Sequence, residues 1–164
     1  MIAIEPVVDG VQLRRAFGCF PSGVTALCAL VAGQPAGMAA SSFTSVSLDP
    51  PLVAVCINHT STTWPLLRAC PRLGLSVLAE GQSDACRTLA GSHSDRFSGT
   101  DWYARPDGSV FVHGSTAWLD CSVFDEILAG DHTVVLLEIH GVGADPEIPP
   151  LVFHGSAFRR LATG

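Results

Sequence analysis

Two long runs rich in β-branched residues, STAWLDCSVFDEIL (115–128) and HTVVLLEIHGV (132–142), are separated only by Ala129-Gly130-Asp131. A turn that short joins neighbouring strands of an antiparallel hairpin, and no helical crossover fits in it. The same grammar runs upstream. VTALCALVA (24–32), SSFTSVSL (41–48) and PLVAVCIN (51–58) are strand candidates separated by GQPAG and DPP, which are turn chemistry. RLGLSVLA (72–79) adds another strand, and LVFHGSAFRRL closes the chain with a short pair. Helices are few. Residues 9–18 read as an amphipathic opening helix capped by Asp9, with Leu13, Ala16, Phe17 and Phe20 on one face. A second helix is expected at 63–70, where Pro65 falls in the first turn, and a third at 83–91, stopped by Gly91. Residues 92–109 read as the longest loop. About seven antiparallel strands at this spacing predict a closed or nearly closed β-barrel. With no repeat or linker, residues 1–164 are expected to form one domain.

Composition narrows the partners. Charged residues make up 15% of the 164 and the net charge is −6. The nine basic residues are all arginine, without the clustered lysine and arginine of a nucleic-acid binder, so nucleic acid is excluded as a partner. No segment approaches the roughly 18 apolar residues of a membrane span. So apolar a chain is expected to bury part of its surface in a homodimer interface. The opening MIAIEPVVDG lacks a basic stretch followed by a long apolar one, and a cytoplasmic location is expected. Six cysteines without a C-x-x-C pair read as buried free thiols. The six histidines show no metal-ligand spacing, and no serine or cysteine nucleophile has a partner pattern.

The distinctive stretch is GMAASSFTSVSLDPP (37–51), which gathers hydroxyls within an apolar chain. Either these serines and threonines line the solvent face of an edge strand, or some converge with backbone N–H groups on an anion. NHTSTT (58–63), at a strand end leading into a helix, and Arg96, in the long loop, offer two further anion contacts. No Walker loop or Gly-x-Gly-x-x-Gly turn is present, so a phosphate would be held by a neutral nest of hydroxyls and amides.

GMAASSFTSVSLDPPLVAVCIN, followed by Ser61-Thr62-Thr63, SDRFSGTDW (94–102), AWLDC (117–121) and AGDHTVVLLEI (129–139), resembles the flavin reductase family of the FMN-binding split-barrel fold. The likeness runs in order from about residue 13 to 161. It implies a mainly β fold: an antiparallel split β-barrel of Greek-key type with a few short helices. It also implies an NAD(P)H:flavin oxidoreductase that reduces FMN or FAD and supplies reduced flavin to a separate flavin-dependent monooxygenase, the flavin commonly lying near the interface of a homodimer. Carried over residue by residue, Met38, Ala39 and Ala40 would run along the isoalloxazine ring, with Ser41 and Ser42 toward the ribityl and phosphate side. Cys56, Ile57 and Asn58 would continue that wall. Ser61 and Thr63 would hold phosphate, and Ser94, Asp95, Arg96 and Phe97 would close over the flavin. His132 matches a position associated with the nicotinamide. Ala39 stands where the family usually has threonine, which removes one side-chain hydroxyl and leaves the backbone amides. With no arginines gathered for a 2′-phosphate, NADH is favoured over NADPH as reductant.

Two other readings stand beside this one. A flavin carrier with the same barrel would need no nicotinamide position, and the Gly130-Asp131-His132 turn favours the reductase. A split-barrel oxidase acting on an amine-bearing cofactor would want basic residues for a substrate phosphate, and this chain has few. Trp64, Trp102 and Trp118 read as core or interface residues, Trp102 also as a lid candidate, and His154 as a structural or rim residue.

Overall fold

The computed structural model describes residues 2–92 and 95–162. Helix α1 (Gly10–Phe17) starts where the Asp9 carboxylate accepts the Gln12 N–H at 2.8 Å. A two-residue strand, β1 (Ser22–Gly23), follows, then β2 (Thr25–Val31) and β3 (Gln34–Ala40). The sequence predicted a turn through GQPAG, but Ala32 (φ 49°) and Gly33 (φ 76°) complete the turn alone. Positive φ at both central residues gives the tight turn that matches strand twist, so the next strand begins at once. Pro35 is tolerated because β3 is an edge strand. β4 (Thr44–Leu48) and β5 (Pro51–Asn58) form the next hairpin.

Helix α2 (Trp64–Leu67) is shorter than the predicted 63–70, since Pro71 disfavours helical geometry at Cys70. β6 (Leu73–Val77), a single 3-10 turn at Glu80–Gln82 and α3 (Ser83–Ala90) follow. The expected loop contains a small hairpin, β7 (Trp102–Ala104) with β8 (Val110–Val112), turning at Gly108 (φ 90°). β9 (Ala117–Ala129) and β10 (His132–Ala144) form the long predicted hairpin. β11 (Val152–His154) pairs with β12 (Ala157–Arg159) and with β1.

Seven strands make one antiparallel sheet in the order β3-β2-β6-β9-β10-β5-β4. The inward residues of six of them meet in one cluster: Leu27 and Ala29 from β2, Met38 from β3, Val55 and Ile57 from β5, Leu75 from β6, Cys121 from β9, and Val135 and Leu137 from β10. A flat sheet would not bring its central and edge strands to one core, so this sheet is curled. Its edges, β3 and β4, are joined in sequence by Ser41–Phe43. They are not paired by a ladder, so the barrel stays split there. A second cluster covers the outer face of β2, where Ala26 and Cys28 pack with Leu89 of α3, Phe97, and Val110 and Val112 of β8. β2 is therefore buried on both faces. β8 crosses β6 so closely that a Cβ on Gly74 would lie 2.0 Å from the Val110 carbonyl oxygen.

All six cysteines are free, but Cys19 and Cys56 are exposed, contrary to the expectation of buried thiols. No residue of α1 is buried, so the apolar face predicted for it, including Phe17 and Phe20, is left uncovered by this chain. No helix among the described residues is long and apolar enough to cross a membrane.

Candidate functional site

Alternation along β3 decides what the 38–42 segment can present. Met38 and Ala40 pack against the inner core, whereas Ala39 packs against the outer one. The Gly37 carbonyl accepts from Arg96 Nη1 at 3.3 Å, so the main-chain groups of Gly37, and those of Ala39 two residues on, face the open edge. Met38 and Ala40 turn their side chains inward and their main chain toward β2, where Thr25 Oγ1 donates to the Ala40 carbonyl at 3.0 Å, so neither offers the free edge a group of its own. An alanine in place of threonine at Ala39 leaves the edge-facing main-chain groups unchanged.

Ser42 supplies what the missing ladder does not. Its Oγ accepts the Cys56 N–H at 2.8 Å and donates to the Cys56 carbonyl at 3.1 Å. One hydroxyl thus imitates a strand residue and pins the 41–43 connection to β5 across the split. Ser41 remains exposed beside it.

Along β5, Ile57 points into the core and is 2% exposed, while Cys56 and Asn58 lie on the outer face and are exposed. His132, the first residue of β10, is the register partner of Asn58. Strand neighbours sit about 5 Å apart, so the two side chains share one outer surface. Asp131 Oδ1 lies 2.6 Å from His132 Nδ1, and this contact holds the Asp131 carboxyl below the usual carboxylate range. The carboxylate fixes which ring nitrogen stays free, Nε2. The loop after Asn58 is tied down by the Asn58 side chain, whose Oδ1 accepts from Thr60 N–H and Oγ1 at 2.8 and 2.7 Å.

Of the remaining predicted residues, Thr63, Arg96 and Phe97 gather at the β3 edge, whereas Ser61 lines a separate cavity with Ile57, Asn58 and His59. Ser61 Oγ accepts the Trp64 N–H at 3.1 Å, starting α2. Thr63 Oγ1 accepts from Arg96 Nη1 at 2.7 Å, and the same nitrogen reaches the Leu89 carbonyl at 3.4 Å. Arg96 therefore ties its own loop to α2, α3 and β3 at once. Asp95 Oδ1 accepts the Phe97 N–H at 3.2 Å, and Phe97 is an outer-core residue set edge-to-face with Trp102 at 6.0 Å. Phe97 and Trp102 thus anchor the loop from beneath. Ser94 lies outside the described residues. Pro35, Gly37, Thr63 and Arg96 border a cavity of about 160 Å³.

The structure thus links Ser42 to Cys56 and sets Cys56, Asn58 and His132 on one outer surface, brings Thr63, Arg96 and Gly37 together at its flank, and leaves Ser41 exposed toward α3 and the C-terminal hairpin. It also adds residues that sequence reasoning missed. Phe153, Phe158, Arg87 and Cys86 enclose a cavity of about 250 Å³ with Ala39, Ala40 and Ser41. Only tertiary folding delivers α3 and the C-terminal hairpin to Ser41, and no spacing in the sequence signals it. Among the described residues no cluster of three or more metal-ligating side chains occurs.

Residues 17–162 match the model of the flavin reductase like domain. The chain belongs to this family. Relatives within it include the NADH-dependent FAD reductase of Streptomyces globisporus, 40% identical over 160 residues that cover 94% of this chain and 87% of that one. The solved structure of the Streptomyces globisporus C-1027 NADH:FAD oxidoreductase SgcE6, in complex with NAD and FAD fragments, superposes with a TM-score of 0.88. It is 39% identical, with 96% of this chain and 98% of that chain covered. The stachydrine N-demethylase reductase subunit Stc3 of Rhizobium meliloti (strain 1021) is 41% identical over 131 residues, 79% of this chain. This flavin reductase like chain spans 57% of that relative's length. The split sheet expected from the resemblance is therefore the family's fold.

Proposed function

We propose that this chain is an NAD(P)H:flavin oxidoreductase, a single domain that reduces FMN or FAD and releases the reduced flavin to a separate flavin-dependent monooxygenase. The family match over residues 17–162 carries the reading, and the chemistry of the site supports it. Flavin needs hydrogen-bonding main chain along its ring edge, neutral polar groups near its ribityl chain and an open face for a second ring. The free edge of Gly37 and Ala39, the exposed Ser41, and the surface around Asn58 and His132 meet those needs, with no buried carboxylate among the described residues there to repel a phosphate. Similarity to an NADH-dependent FAD reductase favours NADH as the reductant.

When bound, the flavin supplies the hydride-accepting ring, so the chain needs no nucleophile of its own. Its task is positioning. Gly37 and Ala39 orient the ring edge through main chain, and Cys56 and Asn58 form the facing wall. Ser61, Thr63 and Arg96 stand at the phosphate end, Arg96 bracing the flank while its guanidinium adds positive charge. His132, held by Asp131, meets the nicotinamide from the adjacent strand through its free Nε2. No proton has to move on the protein for hydride to pass between two rings.

A homodimer is part of the proposal. The chain exposes 9833 Å², against about 7,800 Å² for a compact folded monomer of 17.2 kDa. Large apolar side chains contribute to the excess, among them Ile4 at 92% and Leu128 at 81% exposed.

Anaerobic mixing of the protein with NADH and an excess of FMN or FAD tests the activity. Multiple-turnover loss of the flavin's visible absorbance is expected, and the faster flavin is the working one. Binding without bleaching by either NADH or NADPH would leave a flavin carrier instead.

A further inference from the structure

Gly130 (φ 66°) and Asp131 form a two-residue turn, so His132 is the first residue past the tip of the β9–β10 hairpin. Hairpin tips open easily, because few contacts hold them. The Asp131 carboxylate, 84% exposed, orients the His132 ring but ties the tip to nothing else. That tie comes from His59. Its N–H donates to the Asp131 carbonyl at 3.0 Å, the last rung between β5 and β10. Its ring Nε2 lies 3.1 Å from Thr133 Oγ1, and the two share a hydrogen bond. One residue thus grips the positions before and after His132.

Strand alternation explains why the ring contact comes from inside the barrel. His132 stands on the outer face opposite Asn58, whereas Thr133 pairs with the core residue Ile57 and is 9% exposed. A hydroxyl so nearly buried needs a partner. His59 reaches it because the chain reverses just past β5, where the Asn58 carbonyl accepts the Ser61 N–H at 3.0 Å. His59 and Thr133 face a cavity of about 330 Å³ at the barrel mouth, together with Trp64 and Glu126. Other polar groups of that cavity serve α2. Glu126 accepts from Trp64 Nε1 at 2.9 Å and from Arg68 Nη2 at 2.7 Å, and Ser61 Oγ accepts the Trp64 N–H at 3.1 Å. The His59–Thr133 bond acts instead on the start of β10.

We propose that His59 is a positioning residue for the nicotinamide contact: by holding Asp131 and Thr133 it fixes where the His132 ring stands, without itself touching flavin or reductant. The proposal rests on the flavin reductase reading, in which His132 meets the nicotinamide. The two grips then differ in kind. Any residue except proline at position 59 would supply the main-chain rung, so only the ring bond depends on histidine.

The test compares full-length His59→Ala, His59→Gln and His132→Ala with the double variant His59→Ala/His132→Ala, thermal unfolding confirming that each folds. KM and kcat for NADH are measured at saturating FMN and, in parallel, at saturating FAD, and flavin affinity is measured by fluorescence. A net hydrogen bond made by an exposed side chain corresponds to about a two- to fivefold effect. His59→Ala should raise the KM for NADH by that factor, with kcat and flavin affinity unchanged. Glutamine places an amide nitrogen near the position of Nε2, so His59→Gln should stay close to the wild type. The double variant should match His132→Ala, because His59 then has nothing left to position. A multiplied effect in the double variant, an equal weakening of flavin binding, or an unchanged KM in His59→Ala would overturn the proposal. The wild type decides the underlying reading by itself: turnover of NADH with either flavin upholds the reductase, whereas flavin binding without turnover would overturn that reading and the role of His59 together.

Discussion

Replacing Ser42 by alanine separates two roles for the hydroxyl cluster. In the structure the Ser42 hydroxyl is committed to Cys56, accepting its N–H at 2.8 Å and donating to its carbonyl at 3.1 Å. A net hydrogen bond contributes about 0.5 to 1.5 kcal/mol, which would place the pair at about 1 to 3 kcal/mol. Ser42 is only half-buried, so water can reach the freed Cys56 groups and the loss should fall near 1 kcal/mol. For a chain of this length that lowers the unfolding midpoint by about 2 to 4 °C. Flavin affinity should fall as well, because the 41–43 connection that carries Ser41 loses its tie to β5, but by less than about tenfold, since no direct ligand contact is removed. Thermal unfolding and flavin titration of Ser42→Ala against the wild type measure both. An unchanged midpoint with a hundredfold loss of flavin affinity would refute the argument, because the hydroxyl would then be spent on the ligand.

The remaining predictions address the frame and the site. Gly74→Ala sets a Cβ 2.0 Å from the Val110 carbonyl oxygen, a backbone atom that cannot step aside alone; overpacking of this kind costs about 3 kcal/mol or more, and an unfolding midpoint within a degree of wild type would contradict it. Asp120 accepts from Arg72 Nε and Nη2 at 3.2 and 2.8 Å and is 3% exposed. Asp120→Ala should cost about 3 kcal/mol in denaturant unfolding, the low end for breaking a buried pair, because 28% of the Arg72 side chain still meets water. Burial pushes the Cys28 and Cys121 thiols up to about 12. A raised native value favours folding below the unfolded thiol's value and loses that contribution as pH rises, so stability should decline between about pH 9 and 12 and decline less in Cys28→Ala. A thiol reagent at neutral pH should modify Cys19 and Cys56 first, and bound FMN should protect Cys56 alone; equal protection of both would remove Cys56 from the flavin wall. His132→Ala should raise the KM for NADH severalfold while changing flavin affinity little, and unchanged NADH kinetics would take His132 out of the site.

What the sequence revealed, and what it hid, follows from the range of the interactions involved. The β9–β10 hairpin was legible because its strands are long and its turn local. β3 was not, because Pro35 and Gly37 look like turn residues until one knows that the strand lies at an edge and that a Cβ at position 37 would come within 2.6 Å of Cys28 Sγ. Its glycine answers to packing. The site divides the same way. Ser42 was recognisable as a hydroxyl that needs a partner, yet the partner is main chain fourteen residues on, and only the curling of the sheet brings it there. The hydroxyl cluster therefore has two functions along three residues: Thr25 Oγ1 already holds the Ala40 carbonyl at 3.0 Å, Ser42 fastens the split, and Ser41 between these two ties is left exposed. A residue clamped on both sides while its own side chain stays open is positioned in advance, and binding there costs little ordering entropy. Such a site can hold a flavin long enough to reduce it without the extensive enclosure that would slow its release.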